Sequence, residues 1–289
     1  MLAVCFPTSR KHMLDLEFTE LSDRGLTRQG NEDFLGHVLP ASAAQVHSQG
    51  WLFALADGMG GHELGEVASK LAVETMLAGF RKIPKGVMHA SLLPRLVQDA
   101  NAAVYEAGHA AARVKSRTAQ SANSMGTTLV ACALRFDSAV IAHVGDSRCY
   151  LFRNGTGAPL TRDHTLADEQ LRLGILSASE AGESSGRHLL TRSLGSELFV
   201  AADTITVNIL PGDLLLLCSD GLHGTVPGAT LQSIVRRTTD ADRSLEDTAA
   251  ALIAAANRAG GPDNISVQLI RVLAVERMGL YRGRPYRLL

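Results

Sequence analysis

Acidic residues beside short apolar runs are the feature of this sequence that most constrains its fold. Five such positions occur, most of them next to glycine, and each adjoins a run with the composition of a β-strand: Glu32-Asp33, Asp57, Asp146, Asp220 and Asp263-Asn264. One acid at a strand end is ordinary, because aspartate favours turns. Five of them, with glycines that let backbones approach closely, indicate strands whose ends meet at a shared edge and bring the acids together.

The segment LADGMGGHELGE, residues 55–66, shows the pattern most clearly, with Asp57 directly behind the apolar run 51–56. Three interpretations fit it: a phosphate-binding loop, a plain strand-to-helix turn, or a turn that exposes a carboxylate to a metal ion. A dinucleotide-binding loop requires Gly-x-Gly-x-x-Gly, but the sixth position counted from Gly58 is Glu63. A Walker loop requires Gly-Lys followed by Ser or Thr, and the chain contains no such run. The phosphate-binding loop is therefore excluded.

Converging carboxylates repel one another and are costly to bury unpaired, and a bound divalent cation removes both objections. Oxygen ligands favour Mg²⁺ or Mn²⁺ over zinc, and the ten histidines include no His-Glu-x-x-His motif. A site with two such ions suits the hydrolysis of phosphoesters. Arg28 precedes Glu32 closely and has the planar guanidinium that matches phosphate oxygens. It is a candidate for binding phosphate, and a plain surface arginine is the alternative.

The overall composition excludes several classes of protein. The chain has 289 residues, of which 46% are hydrophobic, with a net charge of −1 and a pI of about 6.8. This balance gives no indication of binding to nucleic acid or to an anionic membrane, and no apolar run approaches the ~20 residues that span a bilayer. The N-terminus lacks the pattern of a signal peptide. The four cysteines are far apart, which is typical of reduced core thiols and favours the cytoplasm.

Strand and helix signals predict an α+β fold. Asn154-Gly155 predicts a hairpin, and Pro211-Gly212-Asp213 predicts a second hairpin between the runs 205–209 and 214–218. Apolar residues at three-to-four spacing predict helices over 66–80 and 92–112, and Ser244 with Asp247 is typical of the start of another. Hairpin-joined strands with helices between groups of strands favour a mainly antiparallel α+β domain.

The order of the motifs resembles that of the metal-dependent protein phosphatases of the PPM (PP2C-type) family, most of all the compact stand-alone bacterial members. The motifs are RQGNED (28–33), DGMGGHELGE (57–66), GTT (126–128), VGDSR (144–148), LTRDHT (160–165), LTRSLG (190–195), SDGL (219–222) and GGPDNISV (260–267). The resemblance implies a central antiparallel β-sandwich flanked by helices on both sides. It covers residues 19–272, with an N-terminal extension at 1–18, a mobile flap at about 163–195 and a basic C-terminal tail at 273–289.

The resemblance also implies a set of metal ligands at the matching positions. Asp57 would bridge two ions, Mn²⁺ or Mg²⁺, and the carbonyl of Gly58 would ligate one of them. Asp220 and Asp263 would hold the other ion.

Further roles follow from the same resemblance. Glu32 and Asp33 would ligate directly or through water, and Arg28 would bind the phosphate. Asp146, together with Asp220, matches the acids that help to bind a third and weaker ion in bacterial relatives.

The sequence departs from the family pattern at two places. Met59 stands where many relatives have a histidine that has been proposed as the general acid, and His62 is a weak candidate for that role. A metal-bound water is the favoured proton donor, because His62 follows two glycines at the start of a predicted helix, where an N-capping or surface role is the simpler account. His223-Gly224 stands near the place where many relatives have an acid after SDGL.

The activity that the resemblance implies is hydrolysis of phosphoserine and phosphothreonine on proteins by a water that bridges two metal ions. The enzyme would act as a monomer and reverse the work of a Ser/Thr kinase that acts in trans. Two alternatives share the same site: a pseudophosphatase that binds phosphoproteins without hydrolysing them, and a hydrolase of small phosphoesters. The presence of every expected carboxylate disfavours the pseudophosphatase.

Chelation should abolish the activity, because every predicted protein ligand is an oxygen atom of the kind that hard divalent cations prefer. We expect activity to require added Mn²⁺ or Mg²⁺ and to disappear after exhaustive EDTA treatment. The measurement is hydrolysis of p-nitrophenyl phosphate by metal-stripped protein before and after Mn²⁺ is restored. Full activity of the stripped protein would contradict a metal mechanism.

Overall fold

The computed structural model describes residues 13–59, 63–84, 86–115, 125–240, 244–281 and 284–287. The strands in these ranges are β1 (Asp15–Asp23), β2 (Asp33–Val38), β3 (Trp51–Met59), β4 (Gly126–Thr127), β5 (Leu129–Arg135), β6 (Ser138–Val144), β7 (Arg148–Arg153), β8 (Thr156–Pro159), β9 (Asp203–Asn208), β10 (Leu214–Cys218), β11 (Ile265–Ala274), β12 (Met278–Tyr281) and β13 (Arg284–Arg287). The helices are α1 (Ala43–Ser48), α2 (Glu63–Arg81), α3 (His89–Lys115), α4 (Leu166–Arg172), α5 (Ala178–Glu183), α6 (Asp220–His223), α7 (Gly228–Asp240) and α8 (Leu245–Arg258), with a 3₁₀ helix at Ser185–His188.

Two antiparallel sheets form the centre of the fold. One has the spatial order β1-β11-β10-β7-β8, and the other has the order β2-β3-β5-β6-β9 with β4 paired to β3. Strands β12 and β13 pair separately with each other. The predicted antiparallel α+β architecture is confirmed.

The sheets pack face to face around a shared apolar core. Phe53 and Ile141 from one sheet and Leu215 and Ile270 from the other are fully buried in this layer. The outer face of the β3 sheet is covered by α2 and α3, and the outer face of the β10 sheet by α6, α7 and α8. Three apolar layers therefore hold the sandwich and its flanking helices, as predicted.

The cysteine and helix predictions hold where the structure describes them. Cys132, Cys149 and Cys218 are free and buried on β5, β7 and β10, and Cys5 lies outside the described residues. The Ser244 hydroxyl caps α8 by accepting a hydrogen bond from the backbone N–H of Asp247 at 3.0 Å. No helix in the described ranges is long and apolar enough to cross a membrane.

One hairpin prediction is confirmed and the other is wrong. Asn154 and Gly155 adopt φ values of 52° and 75° between the paired strands β7 and β8. The turn at 211–213 instead carries the chain from β9 in one sheet to β10 in the other. A hairpin and a connection between two sheets have the same local pattern of alternating apolar residues around a turn. The sequence near the turn therefore does not determine which strand each one pairs with.

Strand β1 corrects the predicted N-terminal boundary. It begins at Asp15 and pairs with β11 along its whole length, and Leu16 is buried in the core between the sheets. Residues 15–18 therefore belong to the sandwich and not to an extension before it. The predicted flap segment contains α4, α5 and the 3₁₀ helix. Gly174 lies between α4 and α5, and its φ of 71° interrupts the helical backbone there.

Candidate metal centre

Two of the predicted ligands lie side by side on neighbouring strands. Asp33 is the first residue of β2 and is the direct cross-strand partner of Asp57 in β3. The backbone of Asp57 is held on its other side, where its N–H donates to the Thr128 hydroxyl at 2.9 Å and its carbonyl accepts from the Thr127 hydroxyl at 2.7 Å. The Gly-Thr-Thr motif thus fixes the segment that carries Asp57.

The opposite sheet supplies two further acids. Asp220 follows β10 as the first residue of α6, and Asp263 lies just before the adjacent strand β11. Ser219 joins the two groups, because its hydroxyl donates to Oδ2 of Asp33 at 2.8 Å. The strand ends of both sheets therefore meet at one place, and the predicted convergence of the acids is what the structure shows.

The glycines around Asp57 allow three backbone segments to approach one another. A Cβ atom at Gly58 would overlap the carbonyl oxygen of Gly65 and would lie 2.7 Å from that of Glu32. A Cβ atom at Gly65 would collide with the Glu32 carboxylate. The N–H of Gly58 donates to the Glu32 carbonyl at 3.1 Å. Only glycine at these positions lets strand β3, the start of α2 and the Glu32 segment pack backbone to backbone.

The convergence makes ionisation of the acids unfavourable. Burial, followed by the charge of Asp220, raises the pKa of Asp146 to about 8. Burial raises the pKa of Asp33 to about 7, against hydrogen bonds from serine hydroxyls that lower it. Burial and the charge of Asp33 raise the pKa of Asp57 well above its usual range, and burial and the charge of Asp263 raise that of Asp220.

These residues fit a hard divalent cation. Oδ1 of Asp33 and Oδ1 of Asp220 are buried and have no hydrogen-bond partner among the described residues. A buried carboxylate oxygen without a donor is costly, and a cation would satisfy it. The acids from both sheets present only oxygen atoms, which is the ligand chemistry of Mg²⁺ and Mn²⁺.

Arg28 lies at the edge of this cluster. Its side chain is 52% exposed, and Nη2 donates to Oδ2 of Asp263 at 2.7 Å. The loop that carries Arg28 is held by Asn264, whose Nδ2 donates to the carbonyl of Gly30 at 2.9 Å and whose Oδ1 accepts from the N–H of Glu32 at 2.8 Å. Arg28 is therefore tied to the cluster and is not an isolated surface arginine.

Asp146 occupies a turn that two histidines hold. Gly145 has φ of 99° and donates its N–H to Nδ1 of His164 at 3.1 Å. The Nε2 atom of His223 donates to the carbonyl oxygen of Asp146 at 2.9 Å. The turn is thereby fixed from the flap side through His164 and from helix α6 through His223.

A cavity of about 320 Å³ separates these acids from the flap. Asp146 and Asp220 line it, and so do Arg187 and His188 of the 3₁₀ helix. The flap therefore faces the carboxylates across a space that a bound side chain can enter.

The structure does not test the weak candidate for the proton donor. His62 lies outside the described residues, and Met59 is the last residue of β3, where it pairs with Gly126. Sequence reasoning also missed Ser219, Thr128 and Asn264 as supports of the acids, although all three lie within the motifs. A hydroxyl or amide next to a ligand acid is the signal that could have identified them.

A second group of three metal-ligating side chains occurs among the described residues. One ligand atom from each of His143, His164 and Asp203 lies within 4.8 Å of the others. Arg192 already donates to Oδ1 of Asp203 at 2.9 Å. Because Nδ1 of His164 accepts from Gly145, Nε2 carries the hydrogen of the neutral ring. Nε2 of His143 is bonded to the carbonyl oxygen of Arg162 at 2.7 Å, and the Arg192 guanidinium already supplies a positive charge beside Asp203, so this group does not require a metal ion.

The chain belongs to the protein phosphatase 2C family, whose sequence model matches residues 31–259. Among its relatives, the serine/threonine phosphatase stp of Listeria innocua is 36% identical over 266 residues, covering 91% of this chain and 96% of that protein. The crystal structure of the serine/threonine phosphatase PstP/Ppp of Mycobacterium tuberculosis is 32% identical, covers 90% of this chain and 100% of that chain, and has a TM-score of 0.75. A structure of the PstP catalytic domain in complex with two manganese ions is 32% identical, covers 90% of this chain and 99% of that chain, and has a TM-score of 0.72.

The raised pKa values predict that the metal-free protein loses stability as the pH rises from about 6.5 to about 8. The folded chain retains protons on Asp33 and Asp146, whose pKa values are about 7 and about 8. The unfolded chain has already released them, since an unperturbed aspartate titrates near ~4. The buried histidines His89, His164 and His223, with pKa values of about 4, have the opposite effect, but only below about 6.5.

Thermal unfolding in EDTA at several pH values across this window measures the effect. The midpoint should fall with rising pH, and Asp33→Asn should reduce the slope. Saturating Mn²⁺ should remove the slope, because a bound cation keeps the carboxylates ionised. A midpoint of the metal-free protein that rises or stays constant across the window would contradict the account.

Proposed function

We propose that this chain is a Mg²⁺- or Mn²⁺-dependent phosphatase that hydrolyses phosphoserine and phosphothreonine on proteins. The observation that carries the proposal is the convergence of carboxylates from both sheets, with two buried oxygens that lack a donor, on Asp33 and Asp220. Membership of the protein phosphatase 2C family and the likeness to a structure with two manganese ions support the same chemistry.

Asp57 has the central position among the proposed ligands. Its pKa is raised, after burial, by the charges of Asp33, Asp220, Asp146 and Asp263, so it is the acid on which the others converge. We assign it to both ions, with Asp33, Asp220 and Asp263 around it.

The remaining proposed ligands surround the central group of Asp33, Asp57, Asp220 and Asp263. Glu32 and the carbonyl of Gly58 complete the proposed site on the side of β3, and Asp146 with Asp220 would hold a third, weaker ion beside the flap. Bound divalent cations supply activation of a water molecule and neutralisation of the phosphoryl oxygens.

The protein's own contribution is to hold charges in place. Ser219 holds the carboxylate of Asp33, and the Gly-Thr-Thr motif holds the backbone of Asp57, so these two acids need no rearrangement when substrate enters. Arg28 is exposed and bonded to Asp263, and an incoming phosphate would compete for its guanidinium. We propose that Arg28 binds the phosphate in this way and orients the ester bond toward the acids.

The substrates and setting follow from the same proposal. We propose that the substrates are phosphorylated proteins made by a Ser/Thr kinase acting in trans, and the cavity lined by Asp146 and Asp220 leaves space between these acids and the flap. Three buried free thiols suit the reducing cytoplasm, and we propose that the chain acts there as a monomer. Hydrolysis of small phosphoesters alone and binding without turnover are the competing functions.

Substitution of Asp57 tests the proposed function. Asp57→Asn should lower kcat by several orders of magnitude, because this one carboxylate would serve both ions and an amide cannot replace its charge. The measurement compares a phosphothreonine peptide with p-nitrophenyl phosphate, each with and without Mn²⁺. Near-normal turnover of the variant would overturn the assignment. Turnover of only p-nitrophenyl phosphate by the wild-type protein would favour the small-ester hydrolase, and binding of peptide without turnover would favour the pseudophosphatase.

Arg28→Ala should mainly raise the KM for phosphopeptide, about tenfold or more, with a smaller loss in kcat, because it removes a charge-assisted bond to phosphate. Arg24→Ala is the matched control, since Arg24 is also exposed and lies in the same loop, where it donates to the carbonyl of Gln29 at 3.3 Å. Steady-state kinetics of both variants should show the KM effect for Arg28 alone. An unchanged KM, or the same change in both variants, would show that Arg28 does not bind the phosphate.

A further inference from the structure

Helix α6 carries a proposed metal ligand at one end and a histidine at the other. The helix has four residues, beginning with Asp220 and ending with His223. The Nε2 atom of His223 donates to the carbonyl oxygen of Asp146 at 2.9 Å. One short helix therefore presents the Asp220 carboxylate and also bonds to the turn that presents the Asp146 carboxylate.

The sheet does not itself set the separation of these two acids. The β7–β10 ladder ends at the pair of Arg148 and Cys218. Asp146 and Asp220 each lie two residues beyond that pair, where this ladder no longer joins the two segments. The His223 bond joins the two segments past the end of the ladder.

The histidine is suited to this task as a neutral donor. Burial and the charge of Arg148 lower the pKa of His223 to about 4. A backbone carbonyl only accepts hydrogen bonds, so Nε2 must carry the hydrogen in the neutral ring. The neighbours of Asp146 are held separately, Gly145 by His164 and Ser147 by the Thr128 hydroxyl, so the His223 bond is the one that acts on the carbonyl of Asp146 itself.

We infer that His223 is a positioning residue that holds the Asp146 turn against α6 and thereby fixes the spacing of Asp146 and Asp220 for the third, weaker ion. The inference rests on the proposed function, because it assigns these two acids to metal binding. Groups that orient metal ligands typically change metal affinity by about 10- to 100-fold when they are removed. A purely structural histidine would change stability and leave the metal affinity as it was.

The test is calorimetric titration of Mn²⁺ into the metal-stripped protein, so that the readout is binding and not activity. His223→Ala should weaken the third, weaker ion by about tenfold or more and leave the two tighter ions unchanged. His223→Gln should restore at least part of the affinity, because its amide nitrogen can donate to the same carbonyl. Asp146→Asn should weaken the same ion.

His89→Ala is the matched control. Nε2 of His89 also bonds to a backbone carbonyl, that of Gln49, at 2.8 Å, and burial likewise lowers the pKa of His89 to about 4. It lies at the start of α3, away from the acids. This variant should lose thermal stability and bind all the ions as the wild type does.

The outcomes distinguish failure of the His223 inference from failure of the proposed function. Unchanged affinity for the weaker ion in His223→Ala, equal weakening at all ions, or the same loss in His89→Ala would overturn the inference alone. Failure of the wild-type protein to bind Mn²⁺ at all would overturn the proposed function.

If circular dichroism shows that His223→Ala does not fold, the test uses His223→Gln and the shorter donor His223→Asn. Recovery of affinity with Gln and not with Asn would support the inference, and equal affinity in both would overturn it.

Discussion

Mutual repulsion among buried carboxylates is the constraint on which the rest of this structure depends. Two sheets bring their strand ends to one place, and at that place Asp33, Asp57 and Asp220 all have raised pKa values because they are buried together. Such a cluster is unfavourable unless something holds it and something neutralises it. The protein holds it with Ser219 from the opposite sheet, and the two oxygens without donors mark where a cation would neutralise it.

The acids themselves could be predicted from the sequence, because each adjoins an apolar run and strand ends share an edge. Asp57 shows this best: its glycine-rich surroundings match neither phosphate-loop motif, and the structure explains the glycines by the close backbone contacts at Gly58 and Gly65. The antiparallel sandwich was also predictable, since hairpin signals and the family resemblance agreed. The metal-ligand roles stay a proposal.

Contacts between distant segments could not be predicted. The bond from Ser219 to Asp33 joins residues 186 positions apart, and the turn at 211–213 crosses between sheets because β9 pairs with β6 and not with β10. Arg28 was predicted as a phosphate ligand, but its bond to Asp263 depends on how two loops meet. In the sequence, His223 was notable only as a departure from the family pattern. Its bond to the carbonyl of Asp146 joins residues 77 positions apart and could not be predicted from the residues around it.

Anomalous diffraction from manganese tests the central claim most directly. Crystals grown with Mn²⁺ and measured near the manganese absorption edge would locate each ion without reference to activity. The account predicts peaks among the carboxylates of Asp33, Asp57, Asp220 and Asp263, with Arg28 released from Asp263 when a phosphate analogue is added. The absence of a peak among these acids, or manganese bound instead between His143, His164 and Asp203, would contradict it.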